Sequence, residues 1–175
     1  MIAFISYYVW IVTTHFSYEW DHASSLDVIV NVMFLWSLYR VSTSTTSESS
    51  HDHRCDILNR NVGKRNHKAF ILLCLYGTIG NGIASYRRRD DVIHFDGDFS
   101  MNVVVMFFAT TCVTFGGAMF LIFHVILLYK GIRSSTICRK LFGKKKKGGA
   151  YIRPVDNYKF HEVFGANWWF WLLPI

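Results

Sequence analysis

Asp52-His53-Arg54-Cys55 sets a carboxylate, an imidazole and a thiol within four residues, immediately ahead of a long apolar run. An imidazole two residues before a thiol can take its proton, and a carboxylate beside the imidazole can orient it, so the parts for nucleophilic catalysis are present. Arg54, Arg60 and Lys64 add nearby cations. The helix expected to follow would turn its N-terminal dipole toward the site, and both effects favour thiolate over thiol. The same residues also fit a plain cytosolic thiol in a basic loop, and the four alone do not choose.

The elements that must hold this group belong to a membrane protein. Of 175 residues 51% are hydrophobic and 17% aromatic, the mean hydropathy is positive, and charge is gathered in a few loops, which is not the composition of a soluble domain. Residues 68–86 and 101–129 read as spans, the second exceeding the roughly 20 residues a bilayer requires. Residues 1–16 and 26–39 are shorter, the latter carrying Asp27 and Asn31; paired, they make a hairpin with 17–25 outside. Of the 19 Lys and Arg, six lie in 40–68 and ten in 130–159, whereas Arg87, Arg88 and Arg89 sit in a loop with Asp90, Asp91, Asp96 and Asp98. The positive-inside rule then puts the Cys55 loop and the C-terminal tail in the cytosol.

The remaining segments read as support. Residues 41–50 are a Ser/Thr-rich linker, the basic run 144–149 suits anionic headgroups, and the aromatic end 167–175 suits an interfacial anchor. Met1 leads straight into apolar residues, with no basic n-region or cleavage site of a signal peptide. Cys55, Cys74, Cys112 and Cys138 show no C-x2-C spacing, so neither a disulfide framework nor a zinc finger can be built from them. His67 and His94 read as exposed loop residues, and His51 with His53 lacks a third metal ligand. Asn81 and His124 read as packing groups within the spans. The chain divides into a transmembrane hairpin (1–40), a linker with the reactive motif (41–67), a second hairpin (68–129) and a basic tail (130–175).

Beyond the four residues, Asn59, Val62-Gly63, Arg65-Asn66, Lys68 and Phe70 precede the apolar helix at set spacings. This stretch resembles the end of the cysteine-rich domain of DHHC-type protein S-acyltransferases (palmitoyltransferases), whose pattern D-H-H-C-P-W-x-N-N-C-V-G-x-R-N-x-K-x-F leads into a third span. Residues 6–12 and 32–45 resemble the family's first two spans. Ser135-Thr136-Ile137-Cys138 falls at its T-T-x-E motif, and 162–165 with 171–175 resemble its C-terminal segment.

The resemblance implies an all-α membrane protein with four transmembrane helices, a short cytosolic DHHC-like loop between the second and third, and a cytosolic C-terminal tail. Both termini would be cytosolic, in an endomembrane (Golgi or endoplasmic reticulum) or the plasma membrane. It implies a Cys55 nucleophile, a His53 base and an Asp52 orienter, with Arg54, Lys64 and Asn66 binding substrate and the two later spans forming an acyl cavity. The partners implied are palmitoyl-CoA as co-substrate, cysteine-containing membrane-associated proteins and the lipid bilayer, with no nucleic acid; the sequence shows no evident cofactor, the family's zinc ligands being absent from it.

The departures are specific. The family's two zinc sites use cysteines upstream of the motif, where this sequence has none, and the downstream zinc cysteine falls on Asn61. Arg54 replaces the second histidine, Asp56-Ile57 replaces Pro-Trp, Cys138 the glutamate of T-T-x-E, and Lys159 an asparagine of the tail. Two readings follow: an acyltransferase, or a catalytically inactive membrane adaptor or partner subunit of the same ancestry. An unrelated four-span protein using Asn81 and His124 is a third.

Overall fold

The computed structural model describes residues 24–44, 51–93, 101–134, 136–137 and 158–175. Helix α1 is Ser25–Thr43, strands β1 and β2 are His51–Cys55 and Arg60–Gly63, helices α2 and α3 are His67–Ile93 and Met101–Lys130, and a short α4, Phe160–Phe164, precedes a 3-10 turn at Trp168–Phe170. The chain is mostly helical. Among the described residues, α2 and α3 are the two helices long and apolar enough to cross a membrane. The expected span at 1–16 lies outside the described residues.

Helix α2 packs against both α1 and α3. Its neighbours run antiparallel to it: Phe34 and Val30 of α1 lie at Gly77 and Gly80, and Thr114 and Thr78 mark the α3 side at Gly82 and Gly117. At the end of α2 remote from Cys55, the Arg87 guanidinium donates to Asp27 Oδ2 at 2.6 Å. The same carboxylate takes the Ser24 amide and hydroxyl, both at 2.8 Å. A single carboxylate therefore caps α1 and ties it to α2.

The other end of α2 is the core. Residues 67–73 are all buried. A helix turn with no solvent face must be enclosed on every side, and here the enclosing groups are Val41 of α1, Leu58 and Val62 of the hairpin, Leu128 of α3, and Tyr158 and Phe164 of the tail.

In one place the all-helical expectation is corrected. The reactive segment is a two-stranded antiparallel ladder, pairing His53 with Val62, Arg54 with Asn61 and Cys55 with Arg60. A turn closes it, with the Asn59 amide donating to the Asp56 carbonyl at 3.2 Å and Asn59 at a φ of 50°, a left-handed conformation asparagine tolerates. Asn66 then joins ladder to helix. Its amide oxygen takes the Gly63 N–H at 2.8 Å, its amide nitrogen donates to the Asn61 carbonyl at 3.0 Å, and its own carbonyl takes the Phe70 N–H.

Close helix contact sets the spacing of α2 and α3. A Cβ on Gly117 would lie 2.5 Å from Thr78 Oγ1, whereas one on Gly116 would meet nothing within 4 Å. Gly116→Ala should therefore raise the unfolding midpoint in detergent, by the roughly 0.5–1 kcal/mol that glycine costs a helix. Gly117→Ala should lower it through overpacking of about 1–3 kcal/mol. Equal shifts for the two variants, read by tryptophan fluorescence during heating, would contradict the packing described.

Candidate active site

Neighbouring residues on a flat strand point to opposite faces, yet the Asp52 and His53 side chains meet, with His53 Nδ1 2.8 Å from Asp52 Oδ2. The ladder register breaks between His51 and His53, and such a bulge re-aims a side chain in this way. Asp52 thereby turns into the protein and is 3% exposed. His53 and Cys55, two residues apart, share a face.

The Asp52 carboxylate is met from below by the segment after α3. That helix ends in a Schellman turn: Ile132 N–H donates to the Leu127 carbonyl at 2.9 Å and Gly131 N–H to Leu128 at 3.1 Å. Gly131 takes the required positive φ, 64°. The reversal brings Ser134 to Asp52, where its amide donates to Oδ1 at 2.9 Å and its hydroxyl makes a short hydrogen bond to Oδ2.

Charge follows from this geometry. Burial alone would raise the Asp52 carboxyl, but hydrogen bonds from His53 and Ser134 hold it at about 2. Burial would lower the His53 imidazole, yet its bonds to Asp52 and Cys55 lift it to about 9. Burial would also raise the Cys55 thiol, but His53 and the backbone amides of Leu58 and Ile57 outweigh it and bring it below its ordinary value. The turn after Cys55 thus aims two amides at the sulfur; near neutrality Asp52 is a carboxylate and His53 an imidazolium, and both His53 and the amides favour the thiolate form of Cys55.

Cys55 lines a cavity of about 420 Å³ together with Phe34, Leu58, Phe70, Cys74, Phe120 and, farther along, Asn81. From Phe70 to Asn81 the cavity follows α2 for about 16 Å at 1.5 Å per residue. Its walls are chiefly apolar, and Gly77, Gly116 and Gly117 keep them open.

Other residues expected to act are placed differently. Arg54 is exposed, its guanidinium donating to Asn59 Oδ1 at 2.8 Å, and Lys64 is exposed and bonded to Glu162 Oε2 of α4 at 2.6 Å. Asn66, 0% exposed, is built into the join between hairpin and α2, which gives it a structural position instead of a face toward substrate. His67 is corrected from an exposed loop residue to the buried first residue of α2, 4% exposed, because Tyr158 of the tail closes over it and shares a 2.9 Å hydrogen bond with Nδ1. His94 lies outside the described residues.

Ser134 and the surroundings of His124 escaped the reading of the sequence. Ser134 stands one residue ahead of the expected T-T-x-E position, and the signal that could have found it is Gly131 as a helix stop. The His124 ring packs 5.1 Å from His53 and 5.3 Å from Phe70, centre to centre.

A family model described as DHHC palmitoyltransferase matches residues 48–140, from just before the hairpin to just beyond Ser134. The chain belongs to the DHHC palmitoyltransferase family. A comparison with curated proteins finds no match.

Among the described residues, no cluster of cysteines with a histidine of the kind the family's zinc sites use is present. Cys55 is in the hairpin, Cys74 lines the cavity and Cys112 is exposed on α3. Asn61, at the family's zinc-cysteine position, accepts the Asn66 amide through its backbone. What holds this member's hairpin is Asp52 on Ser134, Asn66 within the ladder, and Leu58 and Val62 in the core.

If Asp52 sets the state of His53 and through it of Cys55, Asp52→Asn must return the thiol toward its ordinary value. Alkylation of Cys55 near neutral pH, followed by peptide mass spectrometry, should slow, since a higher thiol pKa leaves less of the reactive thiolate. An unchanged rate would mean that the three groups are not coupled.

Proposed function

We propose that the protein is a protein-cysteine S-palmitoyltransferase working through a thioester on Cys55. One observation carries the reading: the nucleophile, backed by His53 and Asp52, lines an apolar cavity that runs along α2. Burying an acyl chain there yields roughly 0.8 kcal/mol per methylene, enough to fix the thioester carbonyl against the sulfur.

In the first step the Cys55 thiolate attacks the carbonyl of palmitoyl-CoA. The carbon–sulfur bond to CoA breaks, and the CoA thiolate leaves with the proton that His53 holds. In the second step a substrate cysteine gives its proton to His53 and attacks the Cys55 thioester, so Cys55 departs as thiolate and the site is restored. Asp52 fixes the imidazole throughout. Arg54 and Lys64, both exposed, are suited to the CoA phosphates, Lys64 exchanging Glu162 for phosphate.

The membrane arrangement belongs to the same proposal. Four spans, formed by the N-terminal segment, α1, α2 and α3, leave hairpin and tail on the cytosolic side, where a soluble CoA head meets a bilayer-embedded acyl tail. The exposed indoles of Trp168 and Trp169, with the Tyr76 hydroxyl donating to the Leu172 carbonyl, support an interfacial seat for the tail against α2. The membrane is an endomembrane or the plasma membrane.

The test is autoacylation of the purified protein in detergent with a labelled palmitoyl-CoA analogue. Hydroxylamine-sensitive label is expected on wild type and absent from Cys55→Ser; no label, or equal label on both, would instead favour the inactive adaptor. The cavity makes a second expectation. Gly116→Leu adds bulk where nothing lies within 4 Å, so its label from palmitoyl-CoA should fall relative to a twelve-carbon acyl-CoA, by about fourfold for each methylene excluded. An unchanged preference would place the acyl chain elsewhere.

A further inference from the structure

The Asp52 and His53 side chains have a third neighbour that the acyl-transfer chemistry leaves unused. One donor atom each from Asp52, His53 and His124 lies within 4.8 Å of the other two. They converge from β1 and from the last turns of α3. Asp52 and His124 are 3% and 4% exposed, and His53 is partly buried.

Two imidazoles and one carboxylate are borderline donors of the kind that hold zinc with one position open to water. Zinc bonds of about 2.0–2.1 Å to such atoms set them about 3.4 Å apart in a tetrahedron. His53 and Asp52 already stand at 2.8 Å and all three donor atoms lie within 4.8 Å of one another, so the adjustment required is on the order of one to two ångströms. A second observation marks the place as an unfinished polar cluster. The His67 ring lies 6.1 Å from His124, centre to centre, and its buried Nε2 has no hydrogen-bond partner among the described residues.

We propose that Asp52, His53 and His124 form an inhibitory divalent-metal site that takes Zn²⁺ in place of the proton shared by His53 and Asp52. Binding releases that proton to solvent and occupies the imidazole with metal and carboxylate. His53 then no longer exchanges a proton with Cys55 or with the leaving CoA thiolate. The site is separate from the family's zinc positions, which lie in the cysteine-rich segment this sequence lacks. Its inhibitory role rests on the acyl-transfer reading of Cys55; the binding of metal does not.

Binding and inhibition are therefore measured separately on the full chain in detergent. Equilibrium dialysis against Zn²⁺, with metal content per protein, should give one ion on wild type and on Cys55→Ser, and Co²⁺ should show the visible absorption of a low-symmetry site. His124→Ala and His124→Gln should each bind at least tenfold more weakly, with the unfolding midpoint confirming that at least one is folded. Half-inhibition of thioester formation, taken relative to each variant's own metal-free rate, should move to higher Zn²⁺ by the same factor. Wild-type affinity in both His124 variants, or no stoichiometric ion on wild type, would overturn the site. Metal binding without inhibition would overturn its regulatory role, whereas binding to a metal-free protein that forms no thioester would keep the site and remove the acyltransferase reading.

Discussion

The buried carboxylate of Asp52 is the constraint on which the rest of the structure depends. An unpaired charge is far too costly in an apolar interior, so its position requires donors on every side. His53 supplies one and Ser134 supplies two. Meeting that demand needs a bulge in β1 to turn the side chain inward and a Schellman turn after α3 to bring Ser134 back. Two segments more than eighty residues apart in sequence are thereby joined at one group. The orientation of His53, and with it the charge state of Cys55, follows.

Helix α2 supplies the frame for this join. Its first turns are enclosed by hairpin, α1, α3 and tail, which fixes the height of Cys55 relative to the apolar segment below. Farther along, Gly77 and Gly117 admit Phe34 and Thr78 at close range, and the cavity runs down the same region. A nucleophile at the top of a membrane-length helix beside an apolar slot is where a fatty acyl thioester can react without its chain entering water. Fold, burial and chemistry thus share one axis.

Much of this was legible in the sequence, because it rests on local patterns. Apolar runs at 68–86 and 101–129 lie within α2 and α3, although α2 continues as helix to Ile93 through the three arginines expected in a loop, and Asp52, His53 and Cys55 stand together in the sequence itself. What escaped depends on partners far along the chain. The hairpin is nearly all polar, HDHRC against RNVG, so no alternation of apolar residues announced it. Asn66 looked available for substrate, but its side chain is taken up by Gly63 and Asn61. His67 looked exposed because the Tyr158 that buries it arrives 91 residues later. Ser134 and His124 carry no signal until α3 is set antiparallel to α2.

The loss of the family's zinc ligands is offset, in this chain, by side-chain contacts to the hairpin, chiefly those of Asp52, Asn66, Leu58 and Val62. The most direct test is the rate at which Cys55 forms its thioester with palmitoyl-CoA after stringent chelation of the purified protein. A rate equal to or above that of untreated protein is expected; a rate lost on chelation and restored by zinc would show that a metal, and not these contacts, holds the site together.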